Sequence, residues 1–218
     1  MNIDLHDRAA LIDAITVGAD RPVAFLVGSP LSWDTGGGVP GVDDMLAVAK
    51  GMVQAKLPRR TPDFEAAVNG ATGANAYQAA MKWIHGSLLQ KGVNDVIRTA
   101  VLKARLPGTR TDIQGDGEHR DWYLPKGARG LAELLIRGGD RFPGPILTTN
   151  FDPLLSLSIR AACGNRRLRV IDSDGNLPPA VEADPGEIDV IHLHGYWQGA
   201  NTLHMRIPVI VTADSGRS

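Results

Sequence analysis

Cysteine, an excess of charge of one sign and long apolar runs are all scarce in this chain of 218 residues, and each scarcity excludes a class of protein. A single cysteine, Cys163, allows no intrachain disulfide and no zinc site with three or four cysteine ligands. The formal net charge is −1, so no overall basic field attracts nucleic acid or an anionic membrane. We therefore expect no metal in the site and no direct nucleic-acid binding.

Membrane insertion and export find no support in the sequence either. No apolar stretch approaches the roughly 20 residues of a membrane-spanning helix. The N-terminal residues, MNIDLHDRAALIDAI, include acidic side chains and no long apolar run, unlike a signal peptide. We expect a cytoplasmic protein that does not bind membranes.

The length fits one sizeable α/β domain with a small insertion and is marginal for two independent cores. We therefore interpret residues 1–218 as a single domain. Two alternatives stay open: the chain is a piece of a longer polypeptide, or it is a domain that works with a separate partner.

Short apolar runs that alternate with helical patterns indicate the fold class. Continuous apolar runs rich in β-branched residues are typical of strands buried on both faces, as in a parallel sheet. Such runs lie at residues 23–27, 145–149, 168–171, 188–193 and 207–211. Apolar residues at helical spacing lie at 4–17, 42–55 and 128–137. The alternation predicts an α/β fold with a Rossmann-like parallel sheet.

A long helical block separates the first strand and its helix from the second strand. Residues 61–105 are largely helical in pattern, with distinct segments at 76–89 and 93–104. Residues 106–125 are polar and contain several glycines and acidic residues, which predicts an exposed loop. Together they predict a helical insertion over about 56–125 and no zinc ribbon.

Polar residues follow three of the predicted strands. The carboxyl ends of parallel strands meet at one edge of the sheet, and ligands of such sheets bind there. We therefore predict a single site at that edge. Its three clusters are Gly28-Ser29, Thr149-Asn150-Phe151-Asp152 and His194-Gly195.

Each cluster taken alone has an ordinary structural explanation. The glycine-rich loop after the first strand can be a plain turn. Asn150 and Asp152 both favour helix caps. A histidine after an apolar strand can be a partly buried, hydrogen-bonded residue, and His192 and His194 lie on the same face of the predicted strand. His194 is nearer the carboxyl end, so we prefer it as the chemically active histidine.

Taken together and in chain order, the clusters resemble the motifs of the sirtuin family. The segments Gly28-Ser29-Pro30-Leu31-Ser32 and Gly38-Val39-Pro40 resemble the family's Gly-Ala-Gly-x-Ser and Gly-Ile-Pro loop. The segments Thr148-Thr149-Asn150-Phe151-Asp152 and Leu193-His194-Gly195 resemble its Thr-x-Asn-x-Asp turn and its His-Gly pair. The resemblance extends from about residue 22 to residue 213 and implies a pocket for NAD.

The resemblance also implies a role for each residue, with NAD as the substrate. Asn150 would position the ribose or an attacking water, Asp152 would hold the nicotinamide side or the loop itself, and His194 would act as general base. The loop from residue 28 to 32 would lie near the phosphates, and residues 39–40 near the nicotinamide ribose. The implied NAD-binding residues are Gly28, Ser29, Ser32, Gly38, Val39, Pro40, Thr149 and Gly195.

The sequence departs from the family's pattern in three places, one of which is Gly41 and Asp43, near where protein-deacylating members usually carry Asp and Arg. Pro30 replaces the second loop glycine, which affects how closely the backbone approaches the pyrophosphate. No zinc ribbon follows the His-Gly pair, where protein-deacylating members carry one. The pattern is therefore more similar to the zinc-less sirtuin-like effectors of bacterial anti-phage systems, which hydrolyse NAD to ADP-ribose and nicotinamide.

This resemblance implies an NAD-depleting hydrolase that assembles with itself or with a partner. Members of that branch are joined to a sensor or oligomerising part, or are paired with an ATPase or an Argonaute-like protein. Two other functions stay open. One is an NAD-dependent protein deacylase; the other is a non-catalytic module that senses NAD or ADP-ribose, for which Pro30 is the best support.

Overall fold

The structure is a computed structural model that describes residues 23–139, 142, 144–163, 167–172 and 187–198. Two predicted elements, the helix at 4–17 and the strand at 207–211, lie outside the described residues. The interpretation of residues 1–218 as one domain stays a prediction.

A four-stranded parallel sheet confirms the predicted Rossmann-like α/β class. The described strands are β1 (Phe25–Val27), β2 (Trp33–Asp34), β3 (Gly37–Gly38), β4 (Ile146–Thr148), β5 (Leu168–Asp172) and β6 (Ile188–His192). Four of them form the parallel sheet in the order β1-β4-β6-β5, while β2 and β3 form a small antiparallel hairpin. The strands of the parallel sheet are short apolar runs, as the pattern predicts.

The register of this sheet aligns the ends of the strands that precede the candidate residues. Val27 of β1 pairs with Thr148 of β4, and Thr148 pairs with His192 of β6. All three are the last residues of their strands. The segments that follow them therefore leave the sheet side by side at its carboxyl edge.

The helices form two groups. The described helices are α1 (Val42–Lys56), α2 (Thr61–Val68), α3 (Gly73–Leu102), α4 (Lys126–Gly138) and α5 (Leu154–Cys163). The first three pack on one another, and α4 and α5 pack together beside the sheet. In α3 the helical geometry is interrupted at Leu89, whose φ is 57°. This break falls at the last residue of the first of the two helical segments predicted at 76–89 and 93–104.

Helix α5 belongs to both hydrophobic clusters that the described residues form. Leu154 and Leu157 pack with α1 and α3, whereas Leu155 and Ile159 pack with α4 and the sheet. Residues three and four apart lie on the same side of a helix, so the two pairs occupy different sides. The strand-end turn that precedes α5 is thereby held between the sheet and the helical layer.

The segment between α3 and α4, residues 103–125, corrects one sequence prediction. Most of residues 106–121 are exposed, as predicted, but the Trp122 side chain is 3% exposed and the Asp116 side chain 9%. The backbone of Arg105 pairs with that of Trp122. A short 3-10 helix at His119–Asp121 directs Trp122 inward. The prediction of an exposed loop is wrong at Trp122 and Pro125, which tertiary contacts bury, and Asp116 is largely removed from solvent.

Candidate functional site

The loop after β1 closes on itself as a turn. Gly28 is followed by a 3-10 helix, Ser29–Ser32, in which Pro30 occupies an early position and the Leu31 amide donates to the Gly28 carbonyl at 3.0 Å. Gly28 has extended backbone angles, and the reason for glycine is space, because a Cβ here would lie 3.2 Å from Thr149 Oγ1. Gly28 therefore lets β1 and β4 end in close contact.

Asn150 ties this loop to the turn after β4. Its side-chain Nδ2 donates to the Gly28 carbonyl at 3.1 Å and to Ser32 Oγ at 2.7 Å. A carbonyl can only accept, so the amide nitrogen must face Gly28. Both N–H groups of the 8% exposed Asn150 are thus used within the protein, and Oδ1 is the atom left for a ligand.

Asp152 continues the same hydrogen-bond chain into the interior. Its side chain is buried and accepts hydrogen bonds from the Ser32 hydroxyl and, at 3.0 Å, from the Leu154 amide at the start of α5. Burial raises the pKa of Asp152 above its ordinary value, and these hydrogen bonds counteract part of that effect. Of its two predicted roles, the contacts favour holding the loop, and they also fit the cap interpretation.

Two histidines at the end of β6 meet the turn after β4. His192 Nδ1 lies 2.6 Å from the Asn150 carbonyl oxygen, and His194 Nδ1 lies 3.2 Å from that of Thr149. Because carbonyls only accept, each Nδ1 must donate, which in a neutral imidazole leaves the lone pair on Nε2. β6 ends at His192, one residue earlier than predicted, and His194 lies in the following turn.

The two histidines differ in access to solvent. His192 is 1% exposed, and burial lowers its pKa, so the ring is neutral. Its Nε2 has no hydrogen-bond partner among the described residues. His194 is partly exposed. This difference favours His194 over His192 as the residue that exchanges a proton with a substrate or water.

The remaining predicted residues surround this chain of contacts. Thr149 donates from its amide to the Val27 carbonyl at 3.0 Å. Gly38 has a φ of 114°, and a Cβ there would lie 2.2 Å from the Ser32 carbonyl oxygen. Val39 is buried and its amide donates to that same oxygen at 2.8 Å. Gly195 has a φ of 84°, in the left-handed region that favours glycine. Ser29 is exposed and Pro40 partly exposed.

The structure therefore links most of the predicted set through contacts at the carboxyl edge. Direct hydrogen bonds or close packing join Gly28, Ser32, Gly38, Val39, Thr149, Asn150, Asp152 and His194. No family model matches the chain, and no significant match is found among the curated proteins.

Two contributors to this region escaped the sequence reasoning. Asp34 of β2 accepts hydrogen bonds from the Gly36 amide, the Tyr123 hydroxyl and the Lys126 amide, and so attaches the hairpin to the start of α4. Asp116 accepts from Tyr196 and Trp197, which directly follow the His-Gly pair. Nothing in the polar segments around these aspartates distinguishes them, although the nearby Trp122 was an available signal of burial.

The described residues contain no group of three or more His, Cys, Asp or Glu side chains arranged to hold a metal. Among the helices that the structure describes, none is long and apolar enough to cross a membrane. A groove of about 610 Å³ lies in the helical layer and is not lined by the strand-end residues. Its lining includes Leu46, Lys50, Phe64, Glu65, Val68 and Asn69.

Proposed function

We propose that this chain hydrolyses the nicotinamide–ribose bond of NAD, giving nicotinamide and ADP-ribose, as an NAD-depleting effector of anti-phage defence. One observation carries the proposal. The partly exposed His194 imidazole is fixed through Nδ1 against the carbonyl of Thr149, the residue before Asn150. An imidazole held through Nδ1 keeps Nε2 for proton transfer, which is what a general base requires. The assignment of NAD as the substrate rests on the order of the motifs, which resembles that of the sirtuin family.

The reaction needs little beyond orientation and a base. Nicotinamide leaves as its bond to the ribose carbon breaks, and the bonding electrons neutralise the pyridinium nitrogen. A water oxygen forms the new bond to that carbon, and its proton passes to His194 Nε2. Asn150 Oδ1 would accept a hydrogen bond from the water or a ribose hydroxyl. Holding these groups in position replaces the entropy loss of a collision between free reactants.

Asp152 and Ser32 act indirectly in this proposal. Asp152 accepts from Ser32, and Ser32 accepts from Asn150, so the buried carboxyl fixes the amide that faces the substrate. We assign Asp152 a positioning role. Gly28 and Gly38 allow the close backbone approach on which this chain of contacts depends.

A non-catalytic sensor of NAD or ADP-ribose is the second candidate, and the loop after β1 favours it. Pro30 has no amide proton, and the Leu31 amide is already bonded to Gly28. A loop that binds pyrophosphate uses free backbone N–H groups. Because neither residue offers a free N–H group, the loop should bind the phosphates more weakly.

The test is release of nicotinamide from NAD, measured by chromatography. The chain is assayed alone and with the products of its neighbouring genes, since we also propose that activity requires self-association or a partner such as an ATPase or Argonaute-like protein. We expect His194→Ala to lower the rate by roughly 10²–10⁴-fold, the usual contribution of a positioned acid–base group. Asn150→Ala should lower it by about 10²-fold, the cost of misplacing a reacting group.

The matched control is His85→Ala, which removes an exposed histidine on α3 and should leave the rate unchanged. Melting curves for each variant separate loss of activity from loss of fold. Equal turnover by the wild type and both site variants in the assembled complex would show that the site assignment is wrong. Binding without turnover in every assembly would indicate the sensor, and nicotinamide release that depends on an acylated peptide would indicate a deacylase.

A further inference from the structure

The largely buried Asp116 carboxylate connects the helical insertion to the segment that follows β6. Its Oδ1 accepts hydrogen bonds from the Tyr196 hydroxyl at 2.5 Å and from Trp197 Nε1 at 3.2 Å. Its Oδ2 lies 3.5 Å from Arg160 Nη1 on α5. The carbonyl of Asp116 also accepts from Trp122 Nε1 at 2.7 Å. Hydrogen bonds to an ionised, largely buried acceptor are stronger than neutral ones.

Tyr196 and Trp197 are two and three residues beyond His194. The Trp197 amide donates to the Phe151 carbonyl at 2.9 Å, and the Leu193 amide donates to the Thr148 carbonyl at 2.8 Å. The turn that carries His194 is therefore held on both sides, by the last residue of β4 and by the segment that follows it. Asp116, which lies in a different part of the chain, accepts hydrogen bonds from the side chains of Tyr196 and Trp197.

Aromatic packing keeps these partners in place. The Tyr196 ring meets the buried His192 ring edge to face with centroids 4.7 Å apart. Trp197 meets Trp122 in the same way at 5.6 Å, and the Arg98 guanidinium lies over Trp197. Tyr196 contacts the His192 ring, and Tyr196 and Trp197 closely follow His194 in the chain. Displacing Tyr196 or Trp197 would therefore disturb both histidines.

We propose that Asp116 is a positioning residue for His194. By holding Tyr196 and Trp197, its carboxylate keeps the His194 imidazole against the Thr149 carbonyl and makes the insertion part of the site. The consequence for turnover rests on the proposed function. The consequence for the geometry of the His194 ring does not.

Long-range ¹H–¹⁵N correlation spectra of the histidine side chains test the geometry directly. In the wild type, His194 should show one tautomer, protonated at Nδ1. Asp116→Asn keeps an acceptor but places an amide N–H toward Arg160, and Tyr196→Phe removes one hydroxyl while keeping the ring. Both variants should shift the His194 signals and mix the tautomers. Asp112→Asn, an exposed change in the same segment, should leave them unchanged.

Kinetics test the consequence. In the active assembly, Asp116→Asn and Tyr196→Phe should lower kcat by about tenfold to a hundredfold, as small displacements of catalytic groups do. Binding of ADP-ribose should change much less, because neither residue is placed to touch it. A merely structural role would lower stability without this separation of kcat from binding.

Unchanged His194 spectra in both variants would overturn the inference, whatever the activity. If the chain releases no nicotinamide in any assembly, the proposed function fails, and the spectra still decide whether Asp116 positions the ring. If Asp116→Asn does not fold, Tyr196→Phe alone gives the same readout.

Discussion

Two regions at the carboxyl edge are each held by one aspartate, and the pKa values of the two carboxyls are shifted in opposite directions. Asp34 in the hairpin is partly exposed and accepts from Tyr123 and from the Lys126 and Gly36 amides, which lower its pKa to about 2. Asp152 in the turn after β4 is buried, and loss of hydration raises its pKa. Hydrogen bonds determine the direction of the pKa shift where water still reaches the carboxyl, and loss of hydration determines it where water does not.

This contrast matters because Ser32 connects the two regions. Ser32 donates to Asp152, and it directly precedes the hairpin whose second strand contains Gly38. The hairpin and the turn therefore depend on each other through one hydroxyl and one carbonyl. Variants that affect one region and not the other can test how strong that dependence is.

Gly38→Ala should have the largest effect on this connection. The left-handed φ of 114° and the 2.2 Å approach to the Ser32 carbonyl both disfavour a side chain. We expect a loss of roughly 3 kcal/mol in the free energy of unfolding, from backbone strain together with overpacking. Denaturant titration measures it. The control is Gly41→Ala, where φ is −69° and a Cβ meets nothing within 4 Å. Equal losses for both would refute the packing argument.

Acid titration of stability should separate the two aspartates. The folded pKa of Asp34 is lowered, so its contribution is present above 3.8 and lost as pH falls toward about 2. The folded pKa of Asp152 is raised, so its contribution is largest below 3.8 and is lost as pH rises through the folded value. Asp34→Asn should therefore reduce the loss of folding stability on acidification below pH 3.8. Asp152→Asn should steepen the fall in stability on acidification above pH 3.8.

Unfolding midpoints in urea between pH 2.5 and 7 give both curves. The expected result is a pair of changes with opposite sign on either side of 3.8. A change in the same direction for both variants would contradict the contrast between the exposed and the buried carboxyl.

Tyr123→Phe should have the smallest effect and tests the contrast at one atom. The Tyr123 hydroxyl makes the largest contribution to the lowered pKa of Asp34. Without it, the pKa of Asp34 should rise from about 2 part of the way toward 3.8, since both backbone donors remain. Titration of the carboxyl ¹³C signal by NMR measures this shift. An unchanged titration would mean that the backbone amides alone set the value.

The elements of the fold could be predicted because their signals are local. An apolar run such as 145–149 predicts a buried strand, and helical spacing at 42–55 predicts α1 without reference to the rest of the chain. The meeting of Gly28, Asn150 and His194 at one edge also followed, because a parallel sheet places all carboxyl ends together. These expectations needed only the order of strands and helices.

The direction of individual contacts could not be predicted, because it depends on residues far apart in the chain. Asn150 faces inward to Ser32 across 118 positions, and Tyr196 reaches Asp116 across 80. Asp116 lies among exposed glycines and acidic residues and has no local pattern of its own. Its burial follows from aromatic side chains that arrive from other elements.

Helix α5 has a consequence for how the protein comes apart. Because its leucines pack into both hydrophobic clusters, neither layer can separate without exposing part of the other's core. Loss of either layer thus removes support from the same ten-residue helix and from the turn before it. The sheet and the helical layer should melt in one cooperative transition, and the site between them should be intact or lost as a whole.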